Sequence, residues 1–242
     1  MLEFYDEIRS KSIRYDTYSI RQDLEQKFQA ACRKELEYFM KFHALAYEID
    51  SLLAENNGDE VESREYFTRL VNLRAIDHFI SANMLYGKGY IVDAITLLRS
   101  SIEDLWIIQN FWFTEDYLKE WKSGCEIKPR KLRNAAGIGQ ESKDMYKKIY
   151  EHLCNISHCR IDGIREMTKT HPKISRNEQE KEDELFRGYF VVIGAYSVYL
   201  IGVISAISFK LSNEKLNIIK KEIMKLTEEI GPLNTIDDNL EE

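Results

Sequence analysis

The segment YEHLCNISHCR, residues 150–160, holds two histidines and two cysteines among other polar side chains. A histidine titrates near neutral pH and can act as a general base or acid. On a continued helix, Tyr150, Cys154 and His158 share one face, and Asn155 lies one turn before His158, where it can orient the ring or a substrate. His158 could equally serve as a cation at the helix C-terminus. Both interpretations stay open from these residues alone.

Metal binding is the other chemistry that this segment suggests. Structural zinc needs four ligands in a tetrahedron, of which Cys154 and His158 could supply two. The other cysteines, Cys32, Cys125 and Cys159, show no CxxC spacing. We therefore predict no metal and no cofactor. The sequence also lacks the phosphate-binding loop, the dinucleotide fingerprint, the hydrolase elbow and the zinc-protease motif.

A second polar feature lies in an apolar segment near the middle of the chain. Arg99 and Glu103 stand at i and i+4, a spacing at which helical side chains meet. They sit beside Ile102 and Trp106, where a buried charge is costly unless it is paired. The pattern favours an internal salt bridge. The alternative is that Arg99 holds an anion in a pocket while Glu103 orients it.

Two further groups of charged residues could also have a function. Arg74, Asp77 and His78 form a cluster in another helical segment, with Arg74 and His78 one turn apart, and this pattern favours a packed polar seam. The segment KPRKLR, residues 128–133, lies in a predicted loop, where its cations could contact phosphate groups. A solvated charge run is the commoner explanation for such a segment. The four candidate ligand-binding residues of KPRKLR are Lys128, Arg130, Lys131 and Arg133.

The elements that must position these residues are predicted to be helical throughout. Apolar residues recur at steps of three or four along most of the chain, and no strand alternation longer than a few residues interrupts them. We predict a single all-α domain over residues 1–242, a bundle of about six or seven helices with an N-terminal arm at 1–15 and a frayed tail at 231–242. The predicted helices cover residues 16–55, 62–86, 90–113, 116–122, 143–157, 181–211 and 213–230.

The overall amino-acid composition is consistent with an all-α globular domain. The 242 residues are 44% hydrophobic and 12% aromatic, which argues against disorder. Three prolines and 11 glycines leave room for long helices. The net charge of −7 makes tight non-specific nucleic-acid binding a poor first hypothesis. The charged N-terminal segment is unlike a secretory leader, and four scattered cysteines are typical of reduced thiols, so we predict a cytoplasmic protein.

One segment complicates the predicted location. Residues 189–209 contain no charge and are about as long as a bilayer span, which needs roughly 20 residues. Such a helix can be the buried centre of a bundle or a membrane anchor. Three tyrosines and three serines dilute the run, so we favour a long buried helix. The alternative is an inner-membrane anchor.

Taken together, two of these segments resemble a bacterial family of unknown function, the all-helical family DUF5677. Its members carry an "A..LLRS..E" helix and, later, a segment like "Y..L....H". Both elements occur here in the right order and separation, and the resemblance covers roughly residues 74–158. The matching residues are Ala94, Leu97, Leu98, Arg99, Ser100 and Glu103, followed by Tyr150, Leu153 and His158.

That family is similar in architecture to the HEPN helical bundles, and the resemblance implies what those proteins do. Many HEPN proteins are metal-independent RNases of toxin and anti-phage defence systems, with sites that form across a homodimer. Their signature places an arginine about five residues before a histidine. In this chain His152 stands before His158 at that spacing, so Arg99 would have to supply the cation from another helix.

Three functions follow as hypotheses. The first is a HEPN-like defence or toxin protein that cleaves RNA, with a site of Arg99, Glu103, Tyr150, Asn155 and His158. Its expected partners are RNA, a second copy of the chain and a cognate antitoxin or defence protein. The second is a non-catalytic module in which these residues are structural or bind an anion or a partner protein. The third is an effector anchored in a membrane by residues 189–209.

Overall fold

The computed structural model describes residues 13–124, 140–157 and 188–231, and within these ranges the chain forms α-helices and no strand. The predicted all-α bundle is therefore confirmed. A π-turn, Ala54–Gly58, follows the second helix. The helices of the described ranges are α1 Ile13–Ala31, α2 Arg33–Leu53, α3 Arg64–Gly87, α4 Ile91–Phe113, α5 Tyr117–Lys122, α6 Gln140–Ser157, α7 Phe190–Ser208 and α8 Glu214–Ile230.

The first predicted helix is divided into α1 and α2. Cys32, which is buried, leaves the helical conformation with φ −98° and ψ 27°. The apolar periodicity continues across this residue, because Phe28 and Phe39 both face the core on either side of it. The sequence pattern alone therefore could not locate the break.

Helices α3 and α8 begin with side-chain caps. Ser63 precedes α3, and its Oγ accepts a hydrogen bond of 2.9 Å from the backbone N–H of Tyr66. Asn213 precedes α8 in the same way, and its Oδ1 accepts a hydrogen bond of 2.7 Å from the backbone N–H of Leu216. Each cap satisfies a backbone donor that the first helical turn leaves unpaired. These caps fix where the two helices begin.

The π-turn between α2 and α3 is held by one arginine. Arg69 donates to both carboxylate oxygens of Asp50, at 3.2 and 3.3 Å, and to the carbonyl oxygen of Gly58 at 3.2 Å. Asn57 adopts φ 68° here, a left-handed conformation that asparagine tolerates better than most residues. Gly58 is buried, and the chain approaches it so closely that a Cβ atom would overlap the carbonyl oxygen of Leu53.

Helix α7 lies inside the bundle, against α2, α3, α4 and α8. Tyr196 stacks on Phe79 with ring centroids 4.0 Å apart, and the Tyr199 hydroxyl donates to Asn72 Oδ1 at 2.9 Å. By length and composition Phe190–Ser208 could also cross a bilayer, but most of it is buried here by other helices. The predicted long buried helix near the C-terminus is therefore present.

Helix α4 is the element that positions the candidate sites. It packs against α3, α6, α7 and the short α5, and its apolar residues enter the common core. Its charged residues emerge on two different sides. Arg99 and Glu103 contact residues of α6, whereas Asp104 contacts residues of α3. This arrangement follows from helical geometry, because adjacent residues point about 100° apart.

Replacing Gly58 with alanine tests the tight π-turn. The added Cβ meets the backbone of Leu53 as well as the Arg69 side chain, and the backbone cannot move aside, so we expect the free energy of unfolding to fall by about 1–3 kcal/mol. Urea denaturation followed by circular dichroism measures this change. Ser51→Ala, at an exposed position of α2, is the control and should shift stability by less than about 0.5 kcal/mol. A Gly58→Ala protein as stable as the wild type would contradict the close approach of the Leu53 carbonyl group to Gly58.

The buried tyrosines of α7 predict a loss of stability in alkali. Burial raises the pKa of Tyr199 well above its ordinary value of about 10. In the unfolded chain this tyrosine ionises near pH 10 while the folded chain keeps its proton, so the free energy of unfolding should fall as pH rises above about 10. Urea midpoints measured across this range give the slope. Tyr199→Phe should make the loss shallower, and an unchanged slope would count against this cause.

Candidate functional site

The contact between α4 and α6 joins three of the residues that the sequence singled out. The Tyr150 hydroxyl donates a hydrogen bond of 2.7 Å to Glu103 Oε1. The Tyr150 ring also packs on Trp106, with ring centroids 4.7 Å apart. Leu153 and Ile156, both buried, hold α6 in the core beside this contact. Tyr150 therefore presents its polar end to Glu103 while its ring is covered by apolar groups.

Arg99 links the same carboxylate to the end of α6. Its Nε lies 3.9 Å from Glu103 Oε1, and its Nη1 donates to Ser157 Oγ at 3.2 Å. The Arg99 side chain is 19% exposed and that of Glu103 is 29% exposed. The cation is therefore largely covered but still reaches solvent. It lies against Ser157, the last residue of α6, which directly precedes His158 in the sequence.

Charge and burial act together on the tyrosine of this cluster. Burial raises the pKa of Tyr150, and the neighbouring Glu103 carboxylate raises it further. The hydroxyl therefore stays protonated at neutral pH and acts as a donor. A base is needed for proton abstraction, and Tyr150 is not one under these conditions. Its role in the cluster is to hold Glu103, which in turn lies beside Arg99.

The structure brings together Arg99, Glu103 and Tyr150, three of the five residues of the predicted site. Asn155 lies on the same helix as Tyr150 and is partly buried. His158 lies outside the described residues. The sequence interpretation missed Ser157, although this residue belongs to the quoted segment. The signal that could have found it is its position next to His158 on a helix facing Arg99.

Several other candidates fall outside the described residues. These include the predicted ligand-binding cations Lys128, Arg130, Lys131 and Arg133. Cys32 and Cys154 are free thiols in the described part of the chain. No group of three or more histidine, cysteine or acidic residues in residues 13–124, 140–157 and 188–231 is arranged to hold a metal ion.

The predicted polar seam on α3 gains a residue that the sequence did not indicate. Arg74 and His78 both contact Asp104 of α4, which is almost fully buried. Asp77, the third member of the predicted seam, is exposed. Asp104 follows Glu103 directly but contacts a different helix. Only the packing of α3 on α4 brings these residues together, so sequence spacing within α3 could not reveal Asp104.

Comparison of the chain with protein-family models, with curated proteins and with solved structures finds no match.

Replacing Tyr150 with phenylalanine tests the link between α4 and α6. The change removes one hydrogen bond to a carboxylate and leaves the ring in place, so we expect the free energy of unfolding to fall by about 1–2 kcal/mol. Equilibrium denaturation measures it. Tyr47→Phe, at a more exposed tyrosine of α2, is the matched control and should change little. Combining Tyr150→Phe with Glu103→Gln should cost less than the sum of both, and strict additivity would contradict the pairing.

Proposed function

We propose that this protein is a HEPN-like, metal-independent endoribonuclease of the defence or toxin type, with its centre between α4 and α6. The observation that supports the proposal best is the contact between Arg99 and Ser157. It ties a largely covered cation to the residue that precedes His158, although the two lie on different helices. A cation for the phosphate and an imidazole for the proton are the two groups that metal-free RNA cleavage needs.

In the proposed reaction, His158 takes the proton from a ribose 2′-hydroxyl. The 2′-oxygen attacks the adjacent phosphorus, and the bond from phosphorus to the 5′-oxygen of the next nucleotide breaks. The leaving 5′-oxygen takes up a proton, so the products are a 2′,3′-cyclic phosphate and a free 5′-hydroxyl. Arg99 stabilises the negative charge that develops on the phosphate oxygens in the transition state.

Glu103 and Tyr150 act as positioning residues in this mechanism. Glu103 lies beside Arg99, and the 2.7 Å hydrogen bond from Tyr150 fixes the carboxylate. A guanidinium held by two partners loses less freedom when it binds a phosphate than a free side chain does. Asn155, one turn before His158 in the sequence, would orient the imidazole or the ribose. RNA, a second copy of the chain and a cognate antitoxin are the proposed partners, and the cytoplasm is the proposed location.

A second candidate function is a non-catalytic binding or interaction module. The observation that favours it is that the polar groups of the cluster engage one another, since Tyr150 donates to Glu103 and Arg99 donates to Ser157. Such a network can lock α6 onto α4, or it can open to hold a small anion. A membrane-anchored effector that uses residues 189–209 is a third hypothesis, and resistance of membrane association to a carbonate wash would support it.

The test of the proposed nuclease is incubation of the full chain with total RNA in EDTA. The wild-type protein should cleave, and His158→Ala should reduce the rate by about 100-fold or more, as expected for loss of a general base. Arg99→Gln should reduce it comparably. Arg33→Gln, which removes the same charge at an exposed position of α2, should leave it unchanged. The cleaved fragments should carry 2′,3′-cyclic phosphate ends.

Two results would contradict the nuclease. One is cleavage by His158→Ala at the wild-type rate, which would place the activity elsewhere or in a contaminant. The other is absence of cleavage by every form, together with melting temperatures lowered in both Arg99→Gln and His158→Ala. That second pattern would favour the structural lock of the binding module.

A further inference from the structure

A second cluster of titratable side chains lies where α3 packs on α4. The Arg74 guanidinium donates to Oδ1 of Asp104, and Nδ1 of His78 lies 3.4 Å from Oδ2 of the same carboxylate. The Asp104 side chain is 3% exposed, whereas Arg74 is 52% exposed and His78 is 24% exposed. A buried carboxylate therefore stands behind two side chains that solvent can reach.

Stability alone is a poor reason to keep this carboxylate buried. A buried ion pair is often no more stabilising than apolar residues of the same size, because the charges lose their hydration. Within the described part of the chain, the hydrogen bond and the ion pair of the Arg74 guanidinium are both made with Asp104. An arginine has five N–H donors, so most of those on Arg74 stay available to a ligand.

The carboxylate also determines how His78 can act. Nδ1 faces Asp104 Oδ2, and among the described residues neither atom has a hydrogen-bond partner, so Nε2 is the ring nitrogen left to meet a ligand. The 3.4 Å separation exceeds the usual 2.7–3.2 Å of an N–H···O hydrogen bond. A protonated ring would carry a charge that Asp104 compensates, and Nε2 would then be a donor.

We propose that Arg74 and His78 form a binding site for a tetrahedral oxyanion of the phosphate type, with Asp104 as the positioning residue. The two side chains are one turn apart on α3, so both can reach a single anion. Arginine and protonated histidine supply charge-assisted hydrogen bonds to such oxygens. The site is separate from the cluster of Arg99 and does not depend on the nuclease.

The charges around the site give binding a pH dependence. Protonated His78 and Arg74 carry two positive charges, and Asp104 carries one negative charge, so a net positive charge faces the anion. Asp77 is the other acidic residue beside the pair on α3, and Tyr199 of α7 lies near Arg74 and Asp104 but remains neutral because burial raises its pKa. The anion should therefore bind more tightly when His78 is protonated.

The experiment is a titration of the full chain with sulfate, followed by calorimetry at about pH 6 and about pH 8. Sulfate keeps the same charge across this range, so a change in affinity reports on the protein. We expect tighter binding at the lower pH. Arg74→Gln and His78→Gln should each weaken binding by about tenfold or more, the loss of one charge-assisted hydrogen bond. Arg33→Gln is the control and should bind as the wild type does.

Asp104→Asn tests the positioning residue. The amide keeps the shape of the carboxylate but carries no charge to hold Arg74 and His78 in place, so the response of the His78 ring nitrogen resonances to sulfate should differ from that of the wild type. A change in stability alone would not alter this response. The ring nitrogen resonances of wild-type His78, followed by NMR during the sulfate titration, give a readout that needs no variant to fold.

Three outcomes would overturn the proposal: no sulfate binding by the wild type at about pH 6, wild-type affinity in Arg74→Gln, or unchanged His78 resonances on saturation. An unchanged response of the His78 resonances in Asp104→Asn would overturn the role of that residue.

Competition with bound sulfate identifies the source of the anion. If inorganic phosphate displaces sulfate but a DNA trinucleotide lacking terminal phosphates does not, the site binds free or terminal phosphate. Displacement by the trinucleotide assigns it to the phosphodiester backbone.

Discussion

The requirement that governs this structure is compensation of charges on a helix that is buried on nearly all sides. Helix α4 carries apolar residues to α3, α6 and α7, and it also carries Arg99, Glu103 and Asp104 into the same environment. A charge removed from water must find a partner or it destabilises the fold. The neighbouring helices α3 and α6 therefore each place polar side chains opposite the charged residues of α4.

The two sides of α4 meet this requirement differently. Toward α6, the charge of Glu103 is met by a tyrosine hydroxyl and an arginine of its own helix, and the arginine also reaches Ser157. Toward α3, the carboxylate of Asp104 is more deeply buried, and its partners are more exposed than it is. The first cluster thus has a covered cation near the surface, while the second has a covered anion beneath an exposed cation.

The sequence predicted the fold class and the pair on α4 because both depend on local spacing. Apolar residues at steps of three and four indicate helices, and Arg99 and Glu103 at i and i+4 are neighbours on any helix. The contacts of Tyr150 with Glu103 and of Asp104 with His78 join residues of different helices, so they depend on how those helices pack. The break at Cys32 was hidden for another reason, since the apolar pattern passes through it without interruption. The nuclease, its partners and its location remain predictions.

The adjacency of Glu103 and Asp104 also constrains how α4 can vary. Successive helical residues point about 100° apart, so these two carboxylates can serve different neighbours only at one rotational setting of the helix. Deleting a single residue between Arg99 and Glu103 would turn the rest of the helix by that angle and would misplace both carboxylates and the apolar face together. A substitution along α4 changes one side chain, whereas a change of its length displaces every residue that follows. Variation in length among related chains should therefore be confined to the connections between helices.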